Sequence, residues 1–405
     1  MHVVMISPGF PAEMARFTRG LAQVGARVTG IGEQPAEQLA QAASEAVSEY
    51  IRVDSLWDEA AVLEKLRAAD RRTPIDRVEC LWEPGMILAA RLREALSVPG
   101  MSEEHTLLFR DKEQMKQALD RAGIRTPRHA RASDECAILE AAERVGYPLI
   151  VKPIAGAGSA GTHRVEDRQE LDKLLPNLRH GPELSVEEFI DGEEFTFDTI
   201  CAGGEILYHN IAWYRPRALM ARTVEWVSPQ TVTLRQVDAD YVASGAAMGR
   251  KVLEALDFQS GFTHMEWFRT WDGEAVFCEI AARAPGARSV DLMNYASDID
   301  TYRGWAEAVI EGRFSQPIDR RYNSAIVFKR AHGEGTIRQI RGLERLVARY
   351  RPYIVCVDLL RPGAPRRDWK RTLISDGYLI LRHPDLQATL EMADRIGTDL
   401  ELLAA

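Results

Sequence analysis

Thr263-His-Met-Glu-Trp-Phe-Arg-Thr-Trp-Asp-Gly-Glu-Ala-Val-Phe-Cys-Glu279 reads as two strands joined at Asp272-Gly273. Asp-Gly between such runs is a strong signal for a two-residue hairpin turn. If Trp271 pairs with Glu274, the same register sets Glu266 directly opposite Glu279. Partners of that kind have Cβ atoms roughly 4.5–5.5 Å apart, where like charges destabilise a sheet. A bound divalent cation reverses that sign. Two hard carboxylates with open coordination positions suit Mg²⁺ carrying phosphates. The alternative is an exposed hairpin with two unrelated surface acids.

Working outward, the pattern alternates strands and helices. His2–Ile6 is a short apolar strand, 12–24 a helical pattern, and Arg27–Ile31 a second strand. A strand-helix-strand start implies a parallel α/β layer. Val78–Trp82 adds a strand before a helix around Met86–Leu96. The dinucleotide fingerprint G-x-G-x-x-G is absent after the first strand, which argues against a nicotinamide site. Helices are expected at Asp111–Ala122, Ser133–Val145, Asp167–Leu175, Asp238–Ala255 and Tyr302–Glu311, and strands at Pro148–Pro153, Thr162–Val165, Leu184–Phe189, Glu194–Ala202 and Glu205–Ile211. Past Gln316-Pro317, residues 316–405 read as a small mixed α/β module with strands at Ala325–Arg330, Ile354–Leu360 and Tyr378–Leu381 and a helix within Pro384–Gly397.

The 405 residues are enough for two to four domains, and 46% hydrophobic with 27% charged residues is ordinary for a globular protein. A net charge of −9 offers no basic patch for nucleic acid or an acidic membrane. The first residues read as a strand rather than a signal peptide, and no apolar run reaches the roughly 20 residues that span a bilayer. Cys80, Cys136, Cys201, Cys278 and Cys356 lack CxxC spacing, which points to free thiols in a reducing cytoplasm.

Three further stretches carry chemistry. Ile150-Val-Lys-Pro-Ile-Ala-Gly-Ala-Gly-Ser-Ala-Gly-Thr162 sets Gly156, Gly158, Ser159 and Gly161 between two strands, with Lys152 just before the loop. Glycines let backbone N–H groups wrap phosphate oxygens, and Lys152 adds a cation; the alternative is a flexible hairpin tip. This is not a Walker A loop, because Gly-Lys-Ser/Thr before a helix is missing. Val186-Glu-Glu-Phe-Ile-Asp-Gly-Glu-Glu-Phe-Thr196 ends a strand in acids followed by apolar residues. Backbone there can read an adenine edge, with Phe189 and Ile190 against its face and Glu194 reaching a ribose; the alternative is a solvated acidic turn. Arg283, four residues past Glu279, can neutralise a transferring phosphoryl group or an acyl phosphate, or form a structural salt bridge. Lys112 in Phe109-Arg-Asp-Lys-Glu-Gln-Met-Lys116 says nothing alone.

The order is the specific feature. A lysine, a lysine with a glycine loop, an acidic adenine segment and paired metal acids together resemble the ATP-grasp superfamily from about residue 106 to about 312. Phe262-Thr-His-Met-Glu266 and Glu279-Ile-Ala-Ala-Arg-Ala-Pro-Gly286 most resemble the L-amino-acid ligases, the bacilysin-type dipeptide synthetases. The resemblance implies an α/β and α+β multidomain ATP-grasp fold. Its parts are an N-terminal Rossmann-like domain over 1–105, an ATP-grasp domain over 106–315 with a lid over about 125–186, and a small C-terminal α+β domain over 316–405. It assigns Lys112 and Lys152 to ATP phosphates, Gly156, Gly158, Ser159 and Gly161 to the lid, Glu187, Glu188 and Ile190 to adenine, and Glu194 to ribose. Glu266 and Glu279 hold Mg²⁺, with Mn²⁺ as a substitute. Arg283 and Lys152 act in catalysis. Many superfamily members carry Asn where this chain has Ala281; the amino-acid ligases share the small residue.

The implied reaction is ATP-dependent ligation of a small-molecule carboxylate to an amine through an acyl phosphate. The alternatives are a formate- or bicarbonate-activating enzyme and a non-catalytic nucleotide-binding regulator. Trp213 and Arg215 lie where the superfamily often faces substrate, and His209 and His264 can bind or deprotonate an amine. Gly286, Ala287 and Arg288 complete the substrate set; a small Ala287 leaves room for a larger amine. Neither nucleic acid nor membrane is implied as a partner, and dimers are common in the superfamily.

Overall fold

The computed structural model describes residues 1–155, 161–178, 181, 183–372 and 374–405. The apolar runs at the start form a parallel four-stranded layer. Its order is Glu49–Arg52, Arg27–Gly32, His2–Ile6, Arg77–Glu79. His2–Ile6 is buried at every position, as a central parallel strand covered on both faces must be. The strand expected at Val78–Trp82 stops at Glu79, and a short 3₁₀ turn, Glu83–Gly85, leads directly into helix Met86–Leu96.

A second sheet, His129–Ala132, Leu184–Glu188, Leu149–Pro153 and His163–Val165, is antiparallel throughout. Helices Glu135–Val145 and Arg168–Leu178 cover one of its faces through Ile138, Val145, Leu171 and Leu175. The glycine-loop residues Gly156, Gly158 and Ser159 lie outside the described residues; Gly161, at φ +67°, is within them.

The third sheet has nine strands and forms the body of the molecule. Ala275–Ala281, Gly261–Thr270, Gly192–Ala202, Ala212–Arg215 and Gln230–Thr233 run in that order, and Glu205–Asn210 pairs with Gly192–Ala202. The sheet then continues into Asn323–Phe328, Gly377–His383 and Ile354–Leu359. Three strands of the small mixed α/β module expected over 316–405 thus extend the central sheet. Strand Asn323–Phe328 finds an open edge at Gln230–Thr233 and pairs with it over four positions. Local pattern could not show that edge. A two-stranded sheet, Ile337–Arg341 with Glu401–Ala404, stands outside it.

Glu266 does face Glu279, but not by the expected turn. Thr270 N–H donates to the Glu274 carbonyl at 3.0 Å, and Gly273, at φ +91°, donates back to Thr270. The loop is three residues, Trp271-Asp272-Gly273, with glycine in the left-handed position such loops require. This shifts the register by one, so that Trp267 faces Phe277. A bulge at Cys278 then restores it, and Glu266 again meets Glu279.

Helix Asp240–Ala255 seats on the sheet through two glycines one turn apart. A Cβ at Gly245 would lie 2.1 Å from Trp267 Cζ2, and one at Gly249 2.3 Å from Phe197 Cδ1. Helix propensity alone favours alanine at such sites by about 1 kcal/mol. Here overpacking dominates, and Gly245→Ala or Gly249→Ala is expected to lower stability by about 1–3 kcal/mol in urea unfolding. A midpoint raised by either substitution would show that the helix is not seated this way.

Candidate active site

The central strands have two faces, and the side chains divide between them by alternation. Phe195, Phe197, Met265 and Trp267 point to helix Asp240–Ala255 and are buried. On the other face Glu194 pairs across to Phe268, Thr196 to Glu266, and Asp198 to His264. Glu266 continues to Glu279 and His264 to Ala281. This face is the floor of a cleft. The antiparallel four-stranded sheet forms the opposite wall. Lys112, Lys152, Glu187, Glu188, Ile190, Glu194, Glu266 and Glu279 all line the cleft, together with Arg217, Phe268 and Cys278. These eight predicted residues come from five separated segments.

Helix Lys112–Arg121 begins at Asp111, whose carboxylate accepts the N–H groups of Glu113 and Gln114 at 2.9 and 3.0 Å. The helix places Lys112 and Lys116, four residues apart, on one buried face. Lys112 Nζ is 3.2 Å from Glu279 Oε2. Lys116 Nζ donates to Glu187 Oε1 at 2.7 Å, and Lys152 Nζ sits 2.9 Å from Glu187 Oε2. Burial opposes charge on Glu187, yet the two lysines hold its carboxyl far below the ordinary range. Burial likewise opposes charge on Lys152, but Glu187 raises its pKa well above normal. Lys116 goes the other way, lowered by burial more than Glu187 can offset. The Glu187 side chain is therefore committed to positioning lysines.

Glu279 is held at about 2: burial raises it, but Lys112 and Lys152 outweigh burial. Glu194, with its Oε2 accepting the Ala218 N–H at 2.7 Å, is raised to about 8 by burial and by Glu266. His264 bridges Asp198 Oδ1 at 2.6 Å and Glu266 Oε1 at 3.5 Å. Burial disfavours its charge, but Asp198 and Glu266 raise it to about 9. The imidazole stands directly across from Ala281, where its charge can offset the paired acids.

Among the described residues no group of three or more His, Cys, Asp or Glu is arranged to hold a metal unaided. Glu266 and Glu279 fit Mg²⁺ only as part of a set completed by phosphate and water, which is that ion's usual habit.

Arg283 stands beside this cleft, gripped by Glu83: Nε and Nη2 lie 2.7 and 2.6 Å from Glu83 Oε2. Burial opposes its charge, while Glu83, then Glu266 and Glu279, keep it above the ordinary value. Arg110 binds the other Glu83 oxygen. Glu83, Arg110 and Lys116 went unassigned from sequence. The position of Glu83 at the end of a parallel strand was the available signal, because ligands gather at that edge.

Of the substrate candidates, His264 alone touches the acidic pair. Trp213 and Arg215 lie in the right strand but on the wrong face. Trp213 stacks on Phe195 at 5.8 Å, and Arg215 is tied to Asp394 at 3.1 Å. Their neighbour Tyr214 faces the site instead, its hydroxyl 3.4 Å from Glu266. His209 shares the buried face with Phe197, at 5.7 Å, and burial with Arg320 and Arg250 lowers it to about 4. Gly286, Ala287 and Arg288 open helix Ser289–Ser297 and do not line the cleft. Ala287 packs in a small apolar cluster with Leu292 and Tyr378, and Arg288 pairs with Asp291 at 3.4 Å.

Family models match residues 22–100 as an ATP-grasp N-terminal domain and residues 109–212 as an ATP-grasp domain. An L-arginine-specific L-amino acid ligase of Bacillus subtilis is 30% identical over 222 residues, 53% of this chain and 52% of the relative. A D-alanine–D-alanine ligase B of Xanthomonas campestris is 37% identical over 221 residues, 51% of this chain and 66% of the relative. The chain spans about half the length of the first curated relatives it matches. Among solved structures, an L-amino acid ligase from Bacillus licheniformis superposes with a TM-score of 0.79 at 21% identity, covering 100% of this chain and 98% of that one. An N5-carboxyaminoimidazole ribonucleotide synthetase from Thermotoga maritima gives 0.74 at 17%, covering 100% and 99%. The chain has the ATP-grasp fold and resembles the L-amino-acid ligases.

Replacing Glu187 by Gln leaves Lys116 and Lys152 buried without their counter-charge. The expected cost is about 3–5 kcal/mol in urea unfolding near neutral pH. Because its pKa is depressed from 4.5, the wild-type contribution is complete above that value and fades as pH falls below it. The gap between wild type and variant should therefore narrow on acidification; a gap that stays constant down to about pH 3 would refute the pairing.

Proposed function

We propose that this chain joins a carboxylate to an amine using ATP, by way of an acyl phosphate. The observation that carries the reading is the meeting of Lys112, Lys152, Glu266 and Glu279 in one cleft, with Arg283 held beside it. The triphosphate would lie over Lys112 and Lys152. The base would lie against the Glu188–Ile190 backbone and the ribose beside Glu194, whose high pKa lets a protonated carboxyl donate to a hydroxyl. Glu266 and Glu279 would hold Mg²⁺, which screens charge on the phosphates when bound.

The chemistry asks mainly for positioning and electrostatic stabilisation. A carboxylate oxygen attacks the γ-phosphorus, the bond to the β–γ bridging oxygen breaks, and ADP leaves. The amine nitrogen then attacks the acyl carbon, the carbon–oxygen bond to phosphate breaks, and the nitrogen loses a proton. Charge grows on the acyl oxygen in that second step, and Arg283, oriented by Glu83 beside the acidic pair, can offset it. The lid excludes water, which would otherwise hydrolyse the acyl phosphate. The Bacillus subtilis relative's activity supports an amino acid as the carboxylate, and so a dipeptide or amino-acid amide as product. All five cysteines are free, which supports a reducing compartment such as the cytoplasm. No helix among the described residues is long and apolar enough to cross a membrane.

Phosphate release with MgATP should be measured across amino acids, singly and in pairs, with mass detection of products. Pair-dependent phosphate and ADP with a condensed mass is the expected result. ATP binding without turnover on any pair would overturn the reading. With an active pair found, Glu279→Gln should lower kcat by about 100-fold or more, the scale of losing one main electrostatic group. Glu83→Gln should lower kcat about tenfold with little change in KM for ATP, because it frees Arg283 but touches no nucleotide-facing group. An equal rise in KM for ATP would place Glu83 elsewhere in the mechanism.

A further inference from the structure

The parallel layer ends three of its strands in aromatic side chains. Phe10 follows His2–Ile6, Trp57 follows Glu49–Arg52, and Trp82 follows Arg77–Glu79. The rings touch: Phe10 and Trp82 centroids are 6.1 Å apart at 74°, and Trp57 and Trp82 are 5.8 Å apart at 40°. Phe10 is 52% exposed and Trp57 57%. Apolar surface left open on an otherwise well-buried layer marks a contact site.

The loops that carry the rings are fixed. Ser7, at φ 52°, donates its hydroxyl to the Phe10 carbonyl at 2.7 Å, and Thr18 Oγ1 donates to the Pro8 carbonyl at 2.9 Å. The Leu56 N–H donates to Glu33 Oε1 at 2.8 Å, which holds the Trp57 loop. The carboxyl ends of parallel strands are where α/β layers take ligands. Trp82 also immediately precedes Glu83, the carboxylate that grips Arg283. The loops at this end of the layer carry Glu13, Glu33, Asp54 and Asp58, none of which makes an ion pair with a basic side chain among the described residues. The basic Arg16 is occupied by Asp291.

We infer that Phe10, Trp57 and Trp82 form a shelf that binds a positively charged substrate side chain, a guanidinium or an ammonium. Aromatic faces attract such cations through their quadrupole, and the carboxylates carried at this edge of the layer without an ion-pair partner add to that attraction. The inference rests on the ligase reading for the word substrate, but the binding event does not depend on turnover.

The test is calorimetric titration of the full chain, with Mg²⁺ and ADP present, using L-arginine and its uncharged near-isostere L-citrulline. Arginine should bind about tenfold more tightly than citrulline, and Trp57→Leu should weaken arginine by about tenfold. Leucine keeps apolar bulk and removes the π face. An unchanged thermal midpoint confirms that this exposed substitution leaves the fold intact. Equal binding of the two ligands, no binding of either, or undiminished arginine binding by Trp57→Leu would overturn the shelf. Condensation of neutral amino acids without an arginine response would remove the shelf and leave the ligase reading standing. A Trp57-dependent arginine response with no condensation from any pair would do the reverse.

Discussion

Two carboxylates face each other at Glu266 and Glu279 because antiparallel strands offer only two faces. At about 5 Å and an effective dielectric near 20, such a pair repels by about 3 kcal/mol. The molecule tolerates this because Lys112 sits 3.2 Å from Glu279 and His264 lies 3.5 Å from Glu266. The opposite face is filled by Phe195, Phe197, Met265 and Trp267, packed under a helix that approaches closely at its glycines. Shifting any one of these strands by one residue would turn acids into that core. Register is thus the constraint on which the site depends, and the core face enforces it.

Charge in the cleft is organised by shared partners rather than isolated pairs. Glu187 serves Lys116 and Lys152, and Glu83 serves Arg110 and Arg283. Each carboxylate orders two cations and leaves the group with an excess positive charge. An excess of that sign suits phosphate and a developing oxyanion. Both arrangements also join separate parts of the chain. Glu187 belongs to the antiparallel four-stranded sheet and Lys116 to the helix before it, while Glu83 belongs to the parallel layer and Arg283 to the end of the acidic hairpin. A change in how those parts meet would therefore be felt at the reacting groups.

Much of this was legible one residue at a time. Lys112, Lys152, Glu266 and Glu279 were recognisable from the order of their motifs, because each motif is a local pattern of residue types. The acidic pairing was also legible, although two local errors cancelled: the turn holds three residues rather than two, and Cys278 bulges out to compensate. Trp213 and Arg215 show the limit of local reading. The segment was right, yet only strand pairing reveals that Tyr214, not its neighbours, shares a face with Glu194 and Glu266.

The sequence by itself determined the element types, the motif order and the identity of the charged groups, since these follow from composition, periodicity and turn chemistry. Tertiary structure alone decided which partner each charge found. It committed Glu187 to two lysines, brought Glu83 across 200 positions to Arg283, and made strands of the C-terminal part an extension of the central sheet. The physical reason is that pairing energies depend on distance and burial. Those are properties of the packed chain, set by contacts between residues far apart along it.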